Sequence, residues 1–274
     1  MQNNLKITFV GGGNMAAALI GGLADKLTAA NNIHVIDINA DALQKLQRQF
    51  GVTTSEQIDA SVAASDVIVL AVKPQQMKAA VAQLLPYIKA QLVLSIAAGI
   101  RAIDLSRWLG GHSAIVRTMP NTPALIGKGV TGMVASNGVS KEQHAAADAI
   151  MRAVGETVWL DDEKLIDSVT AVSGSGPAYV FYFIEAMQQA AQEMGLSAEQ
   201  GNTLAISTFV GAAQLAAQST DPIAVLRERV TSKGGTTYAA LTNMDDNRVK
   251  QSIITAMKAA AARGQALGEE FGQD

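Results

Sequence analysis

Leu5-Lys6-Ile7-Thr8-Phe9-Val10 runs straight into Gly11-Gly12-Gly13-Asn14-Met15-Ala16, and then into a stretch with apolar residues at helical spacing, Leu19, Ile20 and Leu23. A β-rich apolar run, a glycine turn and a helix make the opening unit of a parallel sheet, and the turn fits the pattern G-x-G-x-x-A. Gly11 permits the tight strand-to-helix turn, Gly13 lets backbone approach a pyrophosphate, and Ala16 keeps the helix close to the strand. The helix N-terminus adds amide donors and the positive end of its dipole. Gly11, Gly12, Gly13, Asn14, Met15 and Ala16 are therefore candidate contacts for a dinucleotide. A lone glycine-rich turn would read the same way, so the strand before it and the helix after it carry the inference.

Outward from this turn the same alternation continues. The runs Ile33 to Ile38, Val67 to Val72, Leu92 to Ile96, Ala114 to Thr118, Gly129 to Val134 and Thr157 to Leu160 read as strands. Met15 to Leu27, Asp41 to Phe50, Gln75 to Leu85 and Lys141 to Val154 carry helical spacing between them, as the crossovers of parallel strands require. After Leu160 the β-rich runs stop. Glu163 to Val172, Pro177 to Met194, Ala198 to Gln218, Pro222 to Val230, Tyr238 to Leu241 and Val249 to Leu267 read as helices. The expectation is an α/β chain with two domains: a Rossmann-type doubly wound parallel sheet over residues 1–162, and an all-α domain over residues 163–274. The helix from Pro177 is apolar on more than one face, through Tyr179, Val180, Phe181, Phe183, Ile184 and Met187. A small helical domain cannot hide that surface alone, which predicts a homodimer or higher oligomer built on these helices.

Composition narrows the function. A net charge of -3 with no run of Lys or Arg lacks the footprint of a nucleic-acid binder. The absence of cysteine excludes disulfides, thiolate metal sites and cysteine nucleophiles, and fits a reducing cytoplasm. The N-terminus has no secretory pattern, and even Ala178 to Met194 is interrupted by Glu185, Gln188, Gln189, Gln192 and Glu193, so a soluble cytoplasmic protein is expected, without membrane contact. His34, His112 and His144 are scattered without ligand spacing, which gives no metal site. Ser173-Gly174-Ser175-Gly176-Pro177 lacks the strand-before-serine context of a hydrolase elbow.

Further candidates fall at strand ends, where open parallel sheets bind ligands. Asp37 closes the second strand run, where a carboxylate can accept from an adenine ribose hydroxyl and repel a 2′-phosphate, or simply be solvated; Lys45 or Arg48 could reach back to such a phosphate. Ala71-Val72-Lys73-Pro74 and Ala97-Ala98-Gly99 end the next two strands and are candidate cofactor contacts, the latter beside the nicotinamide. Met119-Pro120-Asn121-Thr122-Pro123 is a loop stiffened by two prolines that presents Asn121. In the helical half, Thr231-Ser232-Lys233-Gly234-Gly235-Thr236-Thr237 offers hydroxyls, glycine amides and one cation at a helix start. It reads either as an anion cradle suited to a carboxylate or as a helix turn capped by Thr236 or Thr237.

Taken together, the glycine turn, Ala71 to Pro74, Met119 to Pro123, Ser173-Gly174-Ser175-Gly176-Pro177-Ala178-Tyr179 and Val230 to Thr237 resemble the pyrroline-5-carboxylate reductases over nearly the whole chain. The resemblance implies hydride transfer from NADPH or NADH to the C=N bond of L-1-pyrroline-5-carboxylate, giving L-proline in the last step of proline biosynthesis, with the substrate site at a dimer interface. It implies that Ser232, Lys233, Gly234, Gly235, Thr236 and Thr237 hold the substrate, and that Thr237 contacts the ring nitrogen or relays its proton. Lys233 stands where many members of that family carry proline, though lysine is familiar there too, and a role in neutralising the substrate is open. One competing reading is a β-hydroxyacid or 6-phosphogluconate-like dehydrogenase, enzymes that use a catalytic lysine on a helix of the second domain; it is weakened because the helical half offers only Lys164, Lys233, Lys250 and Lys258, with Lys233 in a loop. The other is a nucleotide sensor without turnover, for which a substrate cradle would be redundant.

Overall fold

The structure, a computed structural model, describes residues 4–273. Contacts divide the described residues into two compact units, 4–175 with 259–273, and 176–258. In the first, β1 (Ile7–Val10), α1 (Asn14–Leu23), β2 (Ile33–Ile36), α2 (Ala40–Phe50), β3 (Thr53–Ser55), β4 (Val67–Leu70), α3 (Pro74–Leu84), β5 (Leu92–Ser95), α4 (Ala102–Trp108), β6 (Ile115–Met119), β7 (Gly129–Ala135), α5 (Lys141–Arg152) and β8 (Gly155–Trp159) precede α6 (Leu165–Val169) and a π turn over Thr170–Gly174. The second holds α7 (Gly176–Glu193), α8 (Ala198–Gln218), α9 (Ile223–Arg229), α10 (Thr236–Asp246) and the start of α11 (Val249–Phe271), whose later turns belong to the first.

The eight strands form one sheet in the order β3-β2-β1-β4-β5-β6-β7-β8. From β3 to β6 every pairing is parallel, and the chain reverses direction of build between β1 and β4, the switch point at which such sheets bind ligands. Successive strand residues face opposite sides. Thus Val67, Val69, Leu92 and Leu94 pack with Leu19 and Leu23 of α1, Leu43 and Leu46 of α2, and Ile150 and Met151 of α5. Ile68, Leu70 and Val93 pack on the other face with Met77, Val81 and Leu84 of α3 and Leu105 of α4. A strand apolar on both faces is a strand covered on both sides.

The sheet is mostly parallel, as expected, with one exception. β6 and β7 pair antiparallel, Arg117 opposite Val134, while β7 and β8 are parallel again. Only residues 120–128 join β6 to β7, with a single 3-10 turn over Thr122–Ile126, and a parallel return needs a dozen or more residues. Two short elements have no counterpart among the expected ones. β3 is three polar residues, held by the His34 ring to the hydroxyls of Thr53 and Ser55 at 2.9 and 3.0 Å. α4 starts with its Ala102 amide on the Glu163 carboxylate, 2.7 Å away and 61 residues distant in sequence. α1 ends at Leu23 rather than Leu27, and Asp25 turns the chain with φ of 59°.

Candidate active site

Gly11 sits at the switch point with φ of 107°, and a Cβ there would come within 2.6 Å of the Ala71 carbonyl carbon and oxygen. Only glycine lets the ends of β1 and β4 meet in this way. Its own N–H donates to the Ile36 carbonyl at 2.8 Å, so the turn is tied to β2 as well. Gly13 is the N-cap of α1, no side chain caps that helix start, and a Cβ at Gly13 would meet nothing within 4 Å. An uncapped helix start beside open space suits a pyrophosphate held by main-chain amides. No acidic residue stands in the first turn of α1 to oppose it.

Gly12 does something else. Its N–H donates to Asp37 Oδ2 at 2.6 Å, and Asn39 N–H donates to Asp37 Oδ1 at 2.9 Å. Asp37 is half-buried just beyond β2, beside the phosphate turn. The sheet order therefore brings the turn, Asp37, Ala71 to Pro74 and Ala97 to Gly99 to the carboxyl ends of four neighbouring strands. Lys73 is exposed and forms the N-cap of α3 without capping it by its side chain, and Pro74 occupies the first helical position. A groove of about 400 Å³, lined by Leu5, Asp66, Gln91 and Glu142 among others, opens at the amino ends of β1, β4 and β5, the wrong edge for a ligand of such a sheet.

Two expected contacts have structural work of their own. Gly99, with φ of 72°, faces Leu267 Cβ at 3.1 Å and the Phe271 ring at 3.2 Å from where its Cβ would be, so the loop after β5 packs against the last turns of α11. Asn121 is buried; its Nδ2 donates to the Ser173 carbonyl at 3.1 Å and its Oδ1 accepts from Val130 N–H at 2.9 Å. The side chain thus clasps the loop after β6 to the π turn and to β7.

Sequence reasoning passed over Arg117, although a cation in the middle of the apolar run Ala114 to Thr118 demands a buried carboxylate. Arg117 is 3% exposed; its Nη1 meets Glu163 Oε1 at 2.9 Å and its Nη2 lies 3.8 Å from Asp167 Oδ1. Burial pushes the Asp167 carboxyl up; Arg117 opposes the shift and Glu163 adds to it.

In the second unit the residues 231–237 join α9 to α10. Gly234 turns the chain with φ of 72°, Gly235 N–H donates to the Ser232 carbonyl at 3.0 Å, and Gly235 is the N-cap of α10. No side chain caps α10, which removes the alternative of a turn capped by Thr236 or Thr237. Those threonines occupy the first two helical positions, Ser232 and Lys233 are exposed, and no acidic residue lies in the first turn. Glycine amides, hydroxyls and a helix start are the donors a carboxylate takes.

Residues 163–267 match the family model for pyrroline-5-carboxylate reductase dimerisation, and residues 6–99 match the one described as NADP oxidoreductase, coenzyme F420-dependent. A pyrroline-5-carboxylate reductase of Pseudomonas aeruginosa is 45% identical over 98% of this chain and 98% of its own. The chain belongs to the pyrroline-5-carboxylate reductase family. Among solved structures, a pyrroline-5-carboxylate reductase of Coxiella burnetii superposes with a TM-score of 0.90 at 39% identity, over 97% of this chain and 99% of that one. The Plasmodium falciparum pyrroline carboxylate reductase, solved with NADP bound, gives 0.88 at 29% identity, over 98% and 100%. The family's two parts correspond to a dinucleotide-binding sheet and a helical dimerisation region in this chain. No helix among the described residues is long and apolar enough to cross a membrane.

Proposed function

We propose that this chain reduces L-1-pyrroline-5-carboxylate to L-proline at the expense of NAD(P)H, working as a homodimer or higher oligomer in the cytoplasm. The observation that carries the reading is the uncapped start of α10, an anion cradle in a chain whose first turn is shaped for a dinucleotide. Relatives of nearly the same length are pyrroline-5-carboxylate reductases, which supports the same reaction here.

The amides of Gly13, Asn14, Met15 and Ala16 would hold the pyrophosphate, and Ala71 to Pro74 with Ala97 and Ala98 would border the nicotinamide half. When bound, the dinucleotide supplies a hydride to the carbon of the C=N bond. Ser232, Gly234, Gly235 and Thr236 would take the substrate carboxylate, with Lys233 adding positive charge. Thr237 would accept from, or donate to, the ring nitrogen and so fix which face of the ring is presented. A protonated iminium already carries the proton that the product amine keeps, so these residues need to orient and neutralise more than to transfer protons.

The test is the initial rate of NADH and of NADPH oxidation with L-1-pyrroline-5-carboxylate, with proline scored as product. Proline from either cofactor supports the reading; no turnover, while a hydroxyacid is oxidised, rejects it. Thr237→Ala is expected to lose roughly tenfold in kcat/KM, the loss of one hydrogen bond to a charged group. Unchanged turnover would remove Thr237 from the site.

A further inference from the structure

The adenosine end of the dinucleotide site is charged in a way the reaction does not require. Asp37 cannot turn aside, because each carboxylate oxygen is held by a main-chain amide, Oδ2 by Gly12 and Oδ1 by Asn39. Each oxygen still has a lone pair with which to accept from a ribose hydroxyl. The bond to Gly12 joins Asp37 to the turn that would carry the pyrophosphate, and β2 lies directly beside β1, Ile36 opposite Val10. The next residue, Ile38, leaves its apolar side chain 83% exposed, a face for an adenine ring at the same edge.

The residues that directly follow Asp37 offer no charge to compensate a 2′-phosphate. From Ile38 to Gln44 there is no Lys or Arg, and Asp41 adds a second carboxylate in the first turn of α2. The start of α2, which could otherwise receive a phosphate, is capped: the Asn39 side chain accepts from Ala42 N–H at 3.1 Å. Of the two cations further along, Arg48 donates from Nη2 to Gln44 Oε1 at 3.0 Å, which leaves Lys45. The geometry points to Asp37 as the specificity-determining residue that makes this chain select NADH over NADPH, by accepting from the ribose diol and repelling the 2′-phosphate. A phosphate with close to two negative charges at neutral pH meets a fixed carboxylate there.

The inference rests on the dinucleotide reading of Gly11 to Ala16 and not on the identity of the imine, so its test uses binding without substrate. Titration of the full chain with NADH and with NADPH, followed by calorimetry and by nicotinamide fluorescence, is expected to show NADH binding at least tenfold more tightly. 5′-AMP should compete better than adenosine 2′,5′-bisphosphate by a similar factor. Asp37→Asn, which keeps an oxygen for Gly12, should raise NADPH affinity about tenfold, roughly 1.4 kcal/mol, and weaken NADH binding. Added salt should narrow the gap in the unaltered chain and leave the Asp37→Asn protein nearly unaffected, a response that a merely structural role for Asp37 does not give. Equal or tighter binding of NADPH by the unaltered chain would overturn the selection while the dinucleotide reading stands. Binding of neither cofactor would overturn both.

Discussion

The sheet unit and the helical unit differ in where they put their apolar side chains. Every residue of β1, β4 and β5 is buried, and two faces of core close over them. In α7 and α8 the buried residues are only Ala191, Gly201 and Ala205, all small, and α9 and α10 have none. Phe181, Tyr182, Met194 and Leu215 instead face outward, 59% exposed or more. One unit has a finished core within a single chain; the other presents large apolar side chains of the kind that partner surfaces cover. The difference teaches that the dinucleotide half of the site needs no second chain for its shape, whereas the helical half is arranged for contact.

The sharpest way to break this contrast is Gly11→Val. A side chain there requires an unfavourable positive φ, costing roughly 1–3 kcal/mol, and overlaps the Ala71 carbonyl, costing roughly 1–3 kcal/mol more. Dinucleotide binding should vanish and the thermal midpoint should fall steeply; a protein that binds NADH normally would show that the cradle is less tightly built than its contacts indicate. Next in size is Glu163→Leu, which strips Arg117 of its near partner and the Ala102 amide of its acceptor. Since Glu163 is 31% exposed, the loss should sit near about 3 kcal/mol, the low end for a broken buried pair, in urea unfolding. Pairing it with Arg117→Met should recover much of that loss, and no recovery would mean the Ala102 bond dominates.

On the helical side, Phe181→Asp should leave an isolated chain nearly untouched but weaken association by roughly 2 kcal/mol, about thirtyfold. Light scattering over a dilution series reads this directly, and an unaltered chain that is monomeric throughout would break the comparison at its root. The smallest effect concerns pH. Because Asp167 holds its proton more tightly when folded, the native state binds more protons between the usual carboxylate range and the raised value, so this group lowers stability as pH rises through that window. Asp167→Asn should flatten that limb of the stability profile, as unfolding midpoints across mildly acidic pH would show.

Much of the sheet unit was legible because its determinants are local. Strands apolar on both faces, helical spacing between them and the glycine turn all lie within a few residues of what they specify. β3 and α4 were not, because what holds them is distant: the His34 ring in one case and the Glu163 carboxylate in the other. The antiparallel β7 was encoded in the shortness of residues 120–128, a signal of loop length rather than of strand composition. At the candidate site, the glycine turn and its place between a strand and a helix could be read from the sequence, but not that Gly12 gives its amide to Asp37, nor that Asn121 has both ends of its amide engaged. The loop at residues 231–237 was ambiguous because glycine and threonine serve both caps and cradles; the structure shows that no side chain caps α10.

The packing of α11 has a consequence for the order in which the molecule is made. Leu267 and Phe271 seat the loop at Gly99, and Arg107 Nη2 donates to the Gly272 carbonyl at 2.7 Å, so a core begun by β4 and β5 is closed by residues that leave the ribosome long after them. The nascent sheet must wait, with that seat bare, while all of α7 to α10 is synthesised. A chain released early would carry the glycine turn while the loop at Gly99 still lacked the side chains that pack against it.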